Sequence, residues 1–256
     1  MNPILKQLVE ERKCNSLDGK SLIDISATSI SNVEGELIYK AVQEVKAQTS
    51  VETGLAYGTS AIWICEALQK TAQSKHIVID PMQNAEGTPW KGLGINNLRL
   101  AGYESMIEFH EQYSHLALPQ LEKSGIKVDF GFIDGFHTFD HTLIDFFYID
   151  RILKVGGILV IDDCNWESIR KVCSFILTNR SYKVWDYVKS DFELTSSRKT
   201  LNSLHHFLKK KPSLKSYFQP DHAVYGELLD QISYGGCIAF RKESDDKRLW
   251  NHYQEF

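Results

Sequence analysis

The chain has 256 residues, 29 Lys and Arg against 33 Asp and Glu, a net charge of −4 and 43% hydrophobic residues. This is the composition of a globular protein long enough to bury a substantial core; it excludes a collagen-like or low-complexity chain. The acidic balance speaks against a nucleic-acid partner. Five cysteines, Cys14, Cys65, Cys164, Cys173 and Cys237, form no CxxC pair, so they read as reduced thiols of a cytoplasmic protein rather than a disulfide framework. The N-terminus carries no apolar signal core, and no run approaches the roughly 20 apolar residues of a span, so neither secretion nor membrane insertion is expected.

Residues 3–13 fit a short amphipathic helix, and residues 14–31 are rich in Ser, Asp and Gly. From Glu34 to Gln48, Leu37, Ile38, Ala41, Val42 and Val45 recur at helical spacing. The texture then alternates. Strands are predicted over 49–53, 76–80, 106–109, 128–134, 158–162, 182–189 and 237–241. Helices are predicted over 60–70, 92–101, 116–124, 139–153 and 168–178, with Val155-Gly156-Gly157 as a turn. Near-continuous apolar strands separated by helices imply a doubly wound, mostly parallel α/β sheet covered on both faces. Right-handed crossovers place the strand C-termini on one edge, where ligands bind. Glu52, Asp80, Asp134 and Asp162 all fall there. Residues 190–236 form a long connection with apolar positions at helical spacing, read as a helical insertion or cap over that edge. The whole chain is taken as one domain, with 1–33 as an N-terminal lid or helical extension.

Between the first sheet strand and its helix lies Glu52-Thr53-Gly54-Leu55-Ala56-Tyr57-Gly58-Thr59-Ser60. Its glycines let backbone approach a ligand, and the helix N-terminus offers free N–H groups. The G-x-x-x-G spacing is not the G-x-G-x-x-G of a dinucleotide loop, which weighs against a nicotinamide-dependent oxidoreductase. Asp80 closes the next strand, where an acid grips ribose hydroxyls.

The order E-x-G-x-x-x-G-x-S, then I-D-P, F-I-D-G-F-H and L-K-V-G-G-I-L-V-I-D-D resembles the class I S-adenosylmethionine (SAM)-dependent O-methyltransferases. The likeness is greatest to the catechol, caffeoyl-CoA and macrocin-type sugar enzymes, and it covers about residues 34–189 and the last strand. The resemblance implies a seven-stranded Rossmann-like methyltransferase fold. It implies that Glu52, Gly54, Gly58, Ser60, Asp80, Ser114 and Asp134 hold SAM. It also implies that Asp134, Asp162 and Asp163 hold Mg²⁺, which suits carboxylate oxygens that would otherwise repel. Those enzymes carry Asn at the third position, whereas Asp163 adds charge here. His137, three residues after Asp134, stands where they place a general base, and a His of ordinary pKa can take a hydroxyl proton. His137 and Asp134 are therefore the catalytic candidates. The expected acceptor is a hydroxyl of a small molecule or sugar with adjacent oxygens. Trp90 and Trp166 are candidate aromatics facing it, and a homodimer is the default assembly. A SAM-fold module without catalysis is the competing reading; its expected sign, loss of the site acids, is missing.

Overall fold

The computed structural model describes residues 1–189 and 234–256. Most of the predicted 190–236 insertion therefore lies outside the described residues. Seven strands form one sheet: β3 (Thr49–Thr53), β4 (Lys75–Ile79), β5 (Ile107–His110), β6 (Val128–Ile133), β7 (Leu153–Ile161), β8 (Tyr182–Lys189) and β9 (Tyr234–Lys242). Their order is β5-β4-β3-β6-β7-β9-β8. The first five of these run parallel, and β9 is antiparallel to both β7 and β8. The doubly wound, mostly parallel expectation is met. The order reverses at β3, which pairs with β4 on one side and β6 on the other, so a crevice opens there.

Alternation along the strands feeds two cores. Val78, Phe130, Phe132, Ile158 and Val160 face the layer of α2 (Asn32–Glu44) and α3 (Thr59–Leu68). Val51, Ile77, Ile79, Leu159 and Ile161 face the layer of α5 (Ser114–Lys123), α6 (Phe139–Ile152) and α7 (Glu167–Asn179). Phe130 and Phe132 are fully buried, each contributing roughly 1.5–3 kcal/mol. A remaining helix, α4 (Leu93–Leu100), follows β4.

The N-terminal segment joins this core. It opens with α1 (Pro3–Lys6), capped by Asn2, and a π-helical turn over Gln7–Glu11. Leu5, Leu8, Cys14, Ile25 and Ile30 are buried in the α2–α3 layer. Between them lies a hairpin that was not anticipated, β1 (Lys13–Asn15) against β2 (Leu22–Asp24). Strands of three residues carry too little alternation to read, and Ser16 and Asp18 bond within the turn. The helix expected to begin at Glu34 starts two residues earlier, because Ser31 and Glu34 form a reciprocal cap.

One boundary needs correction. Val155-Gly156-Gly157 is not a turn before a strand; β7 already begins at Leu153. Val128 pairs with Leu153 and Phe130 with Ile158, so the extra residues of β7 bulge out of the ladder. All five cysteines are free and buried. Among the described residues no helix is long and apolar enough to cross a membrane.

Candidate active site

The four acids predicted at the strand ends are where the topology puts them. Glu52 lies within β3, and Asp80, Asp134 and Asp162 directly follow β4, β6 and β7. Backbone bonds prolong the ladders into the loops: Gly54 N–H to Ile79 O, 2.9 Å; Asp134 N–H to Thr53 O, 2.9 Å; Asp162 N–H to Ile133 O, 3.0 Å.

The loop from β3 to α3 turns so tightly that two positions demand glycine. Gly54 has φ +89°, and a Cβ there would lie 2.0 Å from the carbonyl oxygen of Asp134. Gly58 has φ +82° and caps α3. Asp80 holds this loop. Its Oδ2 accepts from the N–H groups of Leu55 (2.9 Å) and Ala56 (3.2 Å), and its Oδ1 accepts from Met82 N–H (2.6 Å). Gln83 braces both, donating to Asp80 Oδ2 and Ala56 O. Sequence reasoning missed Gln83; a glutamine in a loop carries no signal until its burial is known.

A cavity of about 170 Å³ opens above the loop. Gly54, Asp80, Trp90, Ser114, Asp134 and Phe136 line it, together with Asp145. It thus gathers four of the predicted cofactor residues. Ser60 is buried in the first turn of α3, under the loop. Glu52 is fully buried and does not border the cavity; His76 Nε2 lies 3.5 Å from its Oε2, and neither carboxylate oxygen hydrogen-bonds among the described residues. Burial pushes its carboxyl up, with His76 and Ser60 pulling the other way. Ser50 Oγ lies 2.8 Å from His76 Nδ1, so Ser50, His76 and Glu52 form a chain that looks like a hydrolytic triad. All three are fully buried, and no substrate reaches them.

The second half of the edge is crowded with acid. His137 Nε2 lies 3.2 Å from Asp134 Oδ1 and 3.4 Å from Asp163 Oδ2. Burial, with repulsion from Asp163 and Glu52, pushes the Asp134 carboxyl up to about 6, although His137 opposes this. The hydrogen bond to Asp134 raises the His137 pKa. Ser168 Oγ donates to His137 O at 2.8 Å, and the Trp166 ring packs 5.3 Å from the imidazole. Asp163 adopts φ +51°, a left-handed conformation that aspartate tolerates.

The predicted trio of metal acids divides. Ligating atoms of Asp134, His137 and Asp163 lie within 4.8 Å of one another, whereas those of Asp162 group with Glu34 and Cys237. Asp162 Oδ1 accepts from Cys237 Sγ (3.0 Å) and from Asp163 N–H (2.8 Å). Burial, then Asp134 and Glu34, push its carboxyl well above the usual range. The Asp134 and Asp163 carboxylates suit a divalent cation, whose charge would relieve the crowding around His137. His141 joins neither group; its Nδ1 is 2.8 Å from Thr138 Oγ1.

Residues 51–164 match the family described as a methyltransferase domain (Methyltransf_24). An Arabidopsis thaliana protein described as a "Probable caffeoyl-CoA O-methyltransferase" is 28% identical over 139 residues, 52% of this chain. The chain covers about half of that relative's length, 54%. Two solved structures share the fold. One is an O-methyltransferase from Bacillus cereus in complex with S-adenosylhomocysteine (SAH): TM-score 0.57, 16% identity, covering 84% of this chain and 83% of that one. The other is TomG from Streptomyces achromogenes, involved in tomaymycin synthesis and in complex with SAM: TM-score 0.56, 15% identity, covering 95% and 91%. The seven-stranded, mostly parallel fold implied by the motifs is thus shared with these solved structures.

Proposed function

We propose that the chain is a SAM-dependent O-methyltransferase acting on a hydroxyl of a small molecule or sugar with adjacent oxygens. One observation carries this reading. Asp134 borders the cavity and also lies 3.2 Å from His137, so the cavity and the acid–base group meet at one residue.

SAM, when bound, supplies an electrophilic methyl group, and a divalent cation such as Mg²⁺ supplies charge neutralisation for the attacking oxygen. The chain's own residues do the rest. Gly54 and Gly58 fold the loop so that its backbone can approach the ligand. Asp80 fixes that loop, and its Oδ1 retains capacity for a ribose hydroxyl. Ser60 and the α3 N-terminus favour a carboxylate. Ser114 borders the far end of the cavity. Glu52 lies buried within β3 and supports the site from within.

Asp134 and Asp163 are the proposed cation ligands; Asp162 groups instead with Glu34 and Cys237, its Oδ1 accepting from Cys237 Sγ and Asp163 N–H. The two carboxylates beside His137 hold its ring toward the protonated form. With their charge neutralised, its pKa falls and Nε2 can take the proton of the acceptor hydroxyl. Much of the acceleration comes from holding both reactants in line. Trp166, half exposed beside His137, is the proposed wall of the acceptor subsite.

The test is SAH formation from SAM across a panel of vicinal diols, with Mg²⁺ or with chelator. Acceptor-dependent SAH that disappears on chelation is expected, and His137→Ala should lower turnover by roughly 10²-fold or more. Full turnover in His137→Ala removes the base; full turnover under chelation removes the metal.

A further inference from the structure

His76 is a buried imidazole that the chemistry above does not use. It precedes Ile77, Val78 and Ile79 in β4 and is fully buried, where a polar ring costs free energy unless it has partners. Parallel pairing sets it opposite Ser50, and alternation points His76, Val78, Ser50 and Glu52 alike into the α2–α3 layer. Glu52 has Val78 and Phe132 as its neighbours across the sheet, both fully buried and neither a donor. Among the described residues its ion-pair partner is His76, 3.5 Å from Nε2 to Oε2. His76 and Ser60 are the side chains that favour its charged form against burial. A buried carboxylate left without such partners gives up its charge.

The imidazole is held at its other end too. Ser50 Oγ lies 2.8 Å from Nδ1 and 3.5 Å from Lys75 O. This hydroxyl can donate to a neutral ring, or accept from a charged ring and donate to the carbonyl. In both arrangements Nε2 carries a hydrogen toward Glu52. The chain Ser50–His76–Glu52–Ser60 thus runs from the two strands to the first turn of α3.

We infer that His76 is a positioning residue: it holds the Glu52 carboxylate under the first turn of α3 and so sets the affinity for the amino-acid end of the cofactor, not for its nucleoside. This rests on the SAM reading above. That end carries full charges, an ammonium and a carboxylate, and a charge held in a low-dielectric layer acts on them without contact. His76 does not border the cavity; it acts through Glu52.

The experiment is calorimetric titration of the full chain with SAH and with 5′-methylthioadenosine, which keeps the nucleoside and the sulfur but lacks the amino-acid end. The wild-type protein should prefer SAH. His76→Leu removes the N–H and keeps the bulk; it should reduce that preference roughly tenfold or more, the value of a hydrogen bond to a charged group. His76→Gln can still turn an N–H toward Glu52 and should stay within roughly threefold of wild type. Glu52→Gln should lower the preference as His76→Leu does, and the double variant should lower it no further. Thermal melts confirm that each variant folds. Equal loss of both ligands in His76→Leu, or a His76→Gln protein as impaired as His76→Leu, assigns the ring to packing and overturns the inference. A further loss in the double variant overturns it too, because His76 then acts apart from Glu52. If His76→Leu does not fold, an unchanged preference in Glu52→Gln overturns it. A wild-type protein that binds both ligands without preferring SAH overturns this inference alone. A wild-type protein that binds neither overturns the SAM reading and this inference with it.

Discussion

The two halves of the active edge use carboxylates in opposite ways. At the β3–β4 side, Asp80 accepts from two loop N–H groups, Met82 N–H and the Gln83 amide, so the acid is spent on geometry. At the β6–β7 side, Asp134, Asp162 and Asp163 crowd together with one imidazole between two of them, and the first two are pushed up in pKa. A satisfied acid stabilises the fold it sits in. A crowded acid is a standing cost that a bound cation removes. The contrast separates a preformed cradle from a site completed by its ligand.

The largest expected effect tests how rigid the cradle is. Gly54→Ala forces a Cβ against the Asp134 carbonyl at a left-handed φ. It should destabilise by about 3 kcal/mol and abolish SAH binding, read by urea unfolding and calorimetry. An alanine variant that binds normally would mean that the loop is not tightly fixed. Next, Asp80→Asn places an amide where Asp80 now accepts only. Its NH₂ group cannot replace every acceptor, so a loss of about 2 kcal/mol is expected.

Asp134→Asn should do the reverse, stabilising the cation-free protein by about 1 kcal/mol while impairing turnover. The opposite signs of these two substitutions are the sharpest test of the comparison. The same asymmetry appears with pH. The Asp134 carboxyl is raised to about 6 from an ordinary carboxylate value near 3.8, so the folded state binds its proton more tightly than the unfolded state. Its contribution is fully present below 3.8 and is lost as pH rises through about 6. A quarter of the side chain is open to solvent, so the loss is about 1 kcal/mol after screening. Asp145, also raised to about 6, acts in the same direction. Melting temperatures of the cation-free protein at pH 4.5 and 7.5 should show the drop, and Mg²⁺ should reduce it. A cation-free protein that gains stability over this range would contradict the crowding.

Much of the frame was legible in the sequence because apolar runs and strand-end acids carry periodicity and position. Val128–Ile133, interrupted by Asp129, and Ile158–Ile161 are near-continuous apolar strands, and Asp134 and Asp162 follow them directly. The hairpin at 13–24 was not legible, because six paired residues hold no pattern. Nor was the bulge in β7, since glycines read equally as a turn. The cluster of Asp134, His137 and Asp163 was half legible. Chain order put the acids together, but only side-chain geometry turns Asp162 toward Cys237 and brings His137 between the other two. Asp145 was invisible, because Phe139–Ile152 has acids on several faces and only packing shows which one reaches the cavity.

The measurement that bears most directly on the central claim is calorimetric titration of the purified chain with SAH. The account predicts micromolar binding to one site, weakened at least tenfold by Asp80→Ala, a loss of about 1.4 kcal/mol. A protein that is folded by its melting curve yet gives neither binding heat nor a thermal shift with SAH would contradict it.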